Sequence, residues 1–325
     1  DGVIYGSGSL RQVGTGTTIL TGDNTYDGGT FVTAGTLQLG NGGTTGTIVG
    51  NVEVAAGATL AYNRSNALLF NGVVSGGGSL RVDGGALVLT NDNLYTGGTV
   101  VNGAILSIGN GGTSGSILGD VTMAGGALVF SRSDSYRFDG VIFGTGASVV
   151  ILGGQIVFTG EGSHAVLTAI GAGASLQLGD GGASGSIASD VLNDGTLAFN
   201  RSNALAFANV ISGSGEVRQI GTGTTTLSAV HTYTGATAVE AGTLIVNGSI
   251  ATSSGLTVAA GAMVGGVGTL PGAVVAGTLS PGNSIGTVNV AGNLTFAGTS
   301  VYLVEVGTTA ADRTDVTGSA SLAGT

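Results

Sequence analysis

Few residues in this chain are equipped for chemistry. Gly282-Asn283-Ser284-Ile285-Gly286 satisfies the G-x-S-x-G pattern of an activated serine, a motif that needs a strand before the serine and a helix after it. Here Val288-Asn289-Val290 continues with strand alternation, and both histidines, His164 and His231, precede the serine, whereas that fold places its histidine later. A turn is expected at Ser284, and no catalytic residue is assigned. Two histidines 67 residues apart with no cysteine in the chain do not make a zinc site. Asp120, Asp190 and Asp180-Gly181-Gly182 would suggest calcium only if tandem Gly-Gly-x-Gly-x-Asp copies accompanied them, and these are absent. No metal or cofactor is expected.

Arginine offers a further pattern. Arg64, Arg132 and Arg201 stand in Asn63-Arg64-Ser65, Ser131-Arg132-Ser133 and Asn200-Arg201-Ser202, 68 and 69 residues apart. Three coils of a stacked β structure would bring each about 14 Å from the next along one face, a strip able to hold an anionic or glycan ligand. The plainer reading is a loop in which each guanidinium bonds neighbouring carbonyls.

The elements that position these residues repeat. Asn24 to Gly43, reading NTYDGGTFVTAGTLQLGNGG, returns from Asn93, from Gly162 and from His231, with Tyr26, Tyr95, His164 and Tyr233 at intervals of 69 residues. Phe70, Phe138 and Phe207 lie 68 and 69 residues apart, and Arg11-Gln12 recurs as Arg218-Gln219 after 207 residues, three periods. A period of this kind predicts a solenoid or an array. The tyrosines are expected to pack or to line an edge.

Short runs such as Thr36-Leu37-Gln38-Leu39 and Asn51-Val52-Glu53-Val54 alternate with period two between Gly, Asn and Asp, which is strand patterning. No helical stripe interrupts them, so the chain is all-β. Within the repeat, a leucine-type position falls at Leu10, Leu37, Leu60, Leu80, Leu106, Leu128, Val149, Leu176, Leu197, Val217 and Leu244. Each interval reads as one coil of a parallel β-solenoid, three coils to a unit, with like residues of successive units stacked in ladders. The units fall near 2–71, 72–139, 140–208 and 209–248, followed by an atypical set of coils over 249–325, as expected of a cap. Roughly fourteen coils would span about 65 Å. A β-propeller fits less well, since its blades take about 40 to 50 residues; 69 residues are also short for independent β-sandwiches.

Composition agrees with a folded, elongated body. Of 325 residues 66 are glycine and 2 proline, yet the mean hydropathy is +0.47, which separates the chain from collagen and from disordered glycine-rich segments. Only 8% of residues are charged, none is lysine, and the net charge is −10. Nucleic acid and anionic lipid need clustered cations, so neither is an expected partner. The opening at Asp1, without methionine or signal peptide, predicts a piece of a longer chain.

Gly14 to Leu37, and likewise Gly221 to Leu244 and more loosely Leu80 to Leu106, resembles the passenger-associated repeat of bacterial autotransporters, the type V secretion proteins. Leu279-Ser280-Pro281-Gly282-Asn283-Ser284-Ile285-Gly286-Thr287, with Leu294-Thr295-Phe296, resembles the stretch such passengers carry ahead of a C-terminal autochaperone region. The third unit departs from the repeat at Gly162-Ser163-His164. The resemblance implies a right-handed parallel β-helix at the bacterial cell surface or released from it, continuous in the full-length protein with an outer-membrane β-barrel. The resemblance leaves the individual activity open; many weak contacts along a repeating polar surface suit attachment, so the expected function is that of a non-enzymatic adhesin for a host matrix or cell-surface protein or glycan, or for sister bacteria. A β-helical stalk that presents an N-terminal functional domain is the other expectation.

Overall fold

The computed structural model describes residues 2–162 and 167–323, and among them there are strands, turns and bends but no helix. The chain forms two units, Asp1–Ile156 with Gly160–Thr168, and Val157–Thr159 with Ala169–Thr325. Each is a parallel β-solenoid of three-sided turns. Alternation supplies the sides, because successive side chains point to opposite faces of a strand.

In the first unit, the first side stacks Leu10–Gln12, Thr30–Val32, Val52–Val54 and Val74–Gly76 in parallel, with Leu10 beside Thr30, Thr30 beside Val52, and Val52 beside Val74. The second side carries the ladder Thr18, Leu37, Leu60, Leu80, Thr99 and Val121. The third carries Leu68, Leu87, Leu106 and Leu128. Most of these apolar residues are wholly buried, each contributing about 1.5–3 kcal/mol. A turn has no hydrophobic core of its own until the next turn covers it.

The register fixes something that the period alone left open. Along the second side, Leu37 to Thr99 is three turns and 62 residues, and Leu106 lies seven residues further, on the third side. One 69-residue repeat is therefore three turns plus one side. The second unit keeps the same step: Leu176, Leu197, Val217 and Thr237 stack over 61 residues, and Leu244 lies seven further on, beside Thr225. The long leucine intervals of 26 and 27 residues are thus one turn plus one side, and not single coils. Like residues of successive repeats do not stack on one another; they step to the next side. Tyr26 follows Asn24, whose N–H bonds Thr47 O (2.9 Å), while Tyr95 is in register with Gly76 on the first side.

In the second unit the ladder Thr237, Leu256, Ala273, Leu294 and Ala320 runs past residue 248 in parallel register. A neighbouring ladder joins Leu205, Thr225, Leu244, Val264, Leu279 and Tyr302. Pro271 sits at a register shift of the strand Thr269–Val275, beside Ala291, the kind of site where a missing N–H is tolerated.

Candidate functional site

The three arginines singled out by spacing occupy corners and turn inward. Arg64 and Arg132 are only 5% and 6% exposed. Arg64 donates through Nε to Asn66 Oδ1 (3.0 Å) and through a terminal nitrogen to Thr44 O. Arg132 donates to Gly115 O and Thr113 O, and to both carboxylate oxygens of Asp134 at 2.8 and 2.9 Å. Arg201 does the same with Gly185 O (3.1 Å), Ala183 O and Asn203 Oδ1 (3.0 Å). Each guanidinium fork thereby fastens the glycine-rich corner loop of the preceding turn, 40–46, 109–115 or 179–185.

Only glycine fits the far end of those loops: Gly115 has φ of 100° and Gly46 of 102°, and a Cβ on either would lie 2.4 Å from the amide nitrogen of Gly109 or Gly40. Arg64 follows the second side and Arg132 the third, so the two stand at different corners rather than along one strip.

The marker tyrosines are interior. Tyr26, Tyr95 and Tyr233 are buried and share hydrogen bonds with Thr30, Thr99 and Thr237 at 2.6, 2.6 and 2.7 Å. Burial pushes all three phenols above the usual tyrosine range. Two residues earlier, Asn24 accepts the Ile4 N–H (2.9 Å) and donates to Gly22 O and Thr47 O (2.7 and 2.9 Å). Asn93 repeats this with Val74, Asn91 and Ser116. His231 takes the same place in the second unit: its Nδ1 accepts the Ile211 N–H (3.1 Å), while its buried Nε2 has no partner. His164 lies outside the described residues.

Burial pushes the His231 imidazole down to about 4. A base held neutral in the fold stabilises it fully above the ordinary histidine value of 6.5, and that contribution is lost as pH falls toward 4. His231→Asn is expected to gain about 1 kcal/mol at pH 7 by restoring the amide's two donated bonds, and to flatten the loss of stability between pH 6.5 and 4. Denaturant midpoints at both pH values measure this; equal pH dependence of the two chains would refute it.

Ser284 lies in a bend before the strand Thr287–Phe296, with its Oγ 3.4 Å from Glu305 Oε2. No helix follows it, so the nucleophile elbow is not built. Among the described residues no group of three His, Asp or Glu side chains is placed to hold a metal ion. Three exposed cations are matched to nearby acids: Arg81 with Asp83 (2.7 Å), Arg137 with Asp139 (2.6 Å) and Arg218 with Glu240 (2.5 Å).

One concave feature escaped the sequence reading. In the second repeat a cleft of about 360 Å³ lies between the turn Thr96-Gly97-Gly98, with Gly119 and Asp120 of the next turn, and the outward ladder Val100 and Thr122, with Phe143 beyond. Copies laid against one another would have flagged it, because Phe143 stands where the other copies have Ser75 and Ser212.

Three stretches, 10–39, 75–108 and 217–246, match the family model described as the passenger-associated-transport-repeat. Over 219 residues the chain is 35% identical to the adhesin BmaC autotransporter of Brucella suis biovar 1 (strain 1330), covering 60% of this chain and 6% of that protein. The chain thus carries three passenger-associated-transport repeats and is similar to an autotransporter adhesin. Passengers of this class are outer-membrane-anchored surface proteins or are secreted. The chain is also 28% identical over 277 residues to the uncharacterized lipoprotein YdeK of Escherichia coli (strain K12), covering 76% of this chain and 20% of that protein. It is 37% identical over 103 residues to an extracellular serine protease of Serratia marcescens, covering 31% and 10% respectively. The chain thus spans a fifth or less of each of these relatives. No solved structure matches it.

Proposed function

We propose that this passenger segment is adhesive and not enzymatic, and that it attaches to a host matrix or cell-surface protein or glycan, or to its own copies on other bacteria. The observation that carries the reading is the 35% identity to an adhesin across 60% of the chain. The step of three turns and one side supports it, because outward residues of a repeat return on successive sides within each unit. Many weak contacts can then be made from several directions, and multivalency turns weak contacts into firm attachment. Arg64, Arg132 and Arg201 serve this reading through the exposed corner loops they hold in shape. In the whole protein the segment would continue into an outer-membrane β-barrel.

A supporting stalk is the second reading, favoured by the match of 103 residues to a protein named as a protease: similar coils there accompany a different activity. Beads coated with the folded chain separate the two. Saturable attachment to immobilised matrix proteins or cultured cells, or clumping of the beads themselves, is expected of an adhesin. Inert beads in all three assays would leave the stalk.

A further inference from the structure

The second repeat has a cleft that the first has filled. In the first copy, Asp27-Gly28-Gly29-Thr30-Phe31 takes the place of Thr96-Gly97-Gly98-Thr99-Val100. The Phe31 ring reaches over Gly29, its Cε2 lying 3.9 Å from where a Cβ on that glycine would be, and Arg11 stacks on the ring at 4.4 Å. Valine at position 100 cannot reach so far. Two further differences turn the vacated space into a polar slot with an aromatic wall: Asp120 replaces the amide of Asn51, and Phe143 replaces the hydroxyl of Ser75.

We propose that this cleft binds a single neutral sugar ring, presented as the terminal residue of a glycan. The proposal rests on the adhesive reading for its biological setting. Phe143, 36% exposed, offers a flat apolar face to the C–H side of a pyranose. Asp120 uses Oδ1 to accept the Val141 N–H at 2.8 Å, which fixes the carboxylate and leaves Oδ2 to accept from sugar hydroxyls. Thr96 and Thr122 line the same space, and a threonine hydroxyl can both donate and accept. Glycines 97, 98 and 119 keep the floor free of side chains. A carboxylate in the slot, in a chain of net charge −10, selects against sialylated or sulfated sugars.

The test is a titration of the whole chain with the methyl glycosides of glucose, galactose, mannose and N-acetylglucosamine, followed by amide chemical shifts. At least one glycoside is expected to move the amides of 96–100 and 119–122 with a dissociation constant of about 1 mM, the range open to a ligand of this size. Val100→Phe, which restores the residue of the first copy, and Phe143→Ser should each weaken binding at least tenfold without moving the thermal midpoint; Asp120→Asn should weaken it several-fold. No response to any of the four, shifts located elsewhere, or binding that survives Val100→Phe would overturn the proposal. Its failure is distinct from failure of the adhesive reading, which is decided by whether beads carrying the unaltered chain attach at all.

Discussion

Arg132→Leu is expected to lower the stability of the first unit by about 3 to 5 kcal/mol, the usual result of removing one partner from a buried charged network. The guanidinium is the shared donor for Gly115 O and Thr113 O on the corner loop and for Asp134 on its own strand, and it lies 4.8 Å from the centre of the Tyr136 ring. Leucine fills part of the volume and leaves the carbonyls without that donor. Arg132→Lys keeps the charge but loses the planar fork, so it should recover less than half of the loss. The control is Arg137→Leu, whose pair with Asp139 stands in solvent and should cost no more than about 1 kcal/mol.

The hydrogen bond from Arg132 holds the Asp134 carboxyl below the usual carboxylate range, so this part of the stability is present at neutral pH and fades as the solution is acidified through that depressed value. Urea midpoints of the four chains measure the differences. Equal losses for Arg132→Leu and Arg137→Leu would show that the buried fork does not secure the corner.

Tyr95→Ala should cost a similar amount, about 3 to 5 kcal/mol, as large-to-small changes of a fully buried aromatic do. The side chain is 0% exposed and its hydroxyl meets Thr99 Oγ1 at 2.6 Å. Tyr95→Phe separates packing from polarity. It retains the ring and strands a buried threonine hydroxyl, at a cost of about 1 to 2 kcal/mol. If alanine and phenylalanine were equally tolerated in chemical unfolding, the tyrosine would be a surface residue and the ladder assignment would be wrong.

Arg132 and Tyr95 are both conspicuous in the repeat itself. The spacing of Tyr26, Tyr95 and Tyr233 announced a solenoid, and the same tyrosines turn out to be core residues. For Arg64, Arg132 and Arg201 the spacing was equally plain, but within the first unit Arg64 and Arg132 stand at different corners. A 69-residue period becomes an alignment only when divided by the length of a turn. That length depends on how many residues each corner consumes: Leu37 to Leu60 takes 23, Leu60 to Leu80 takes 20, and Leu80 to Thr99 takes 19. The cleft beside Asp120 and Phe143 was illegible for the same reason, since its walls come from separate turns.

The amino-acid pattern by itself determined that the chain is all-β, that it winds as a stacked parallel solenoid, and that it resembles autotransporter passengers. These are local matters: alternation sets a strand's faces, and a repeated motif carries its own signature. Tertiary structure alone decided which side each copy occupies, that the spaced arginines fasten corners from within, and that one repeat keeps open a space its neighbour fills. Those outcomes depend on register between residues about twenty positions apart, and register is settled only when successive turns bury one another's ladders.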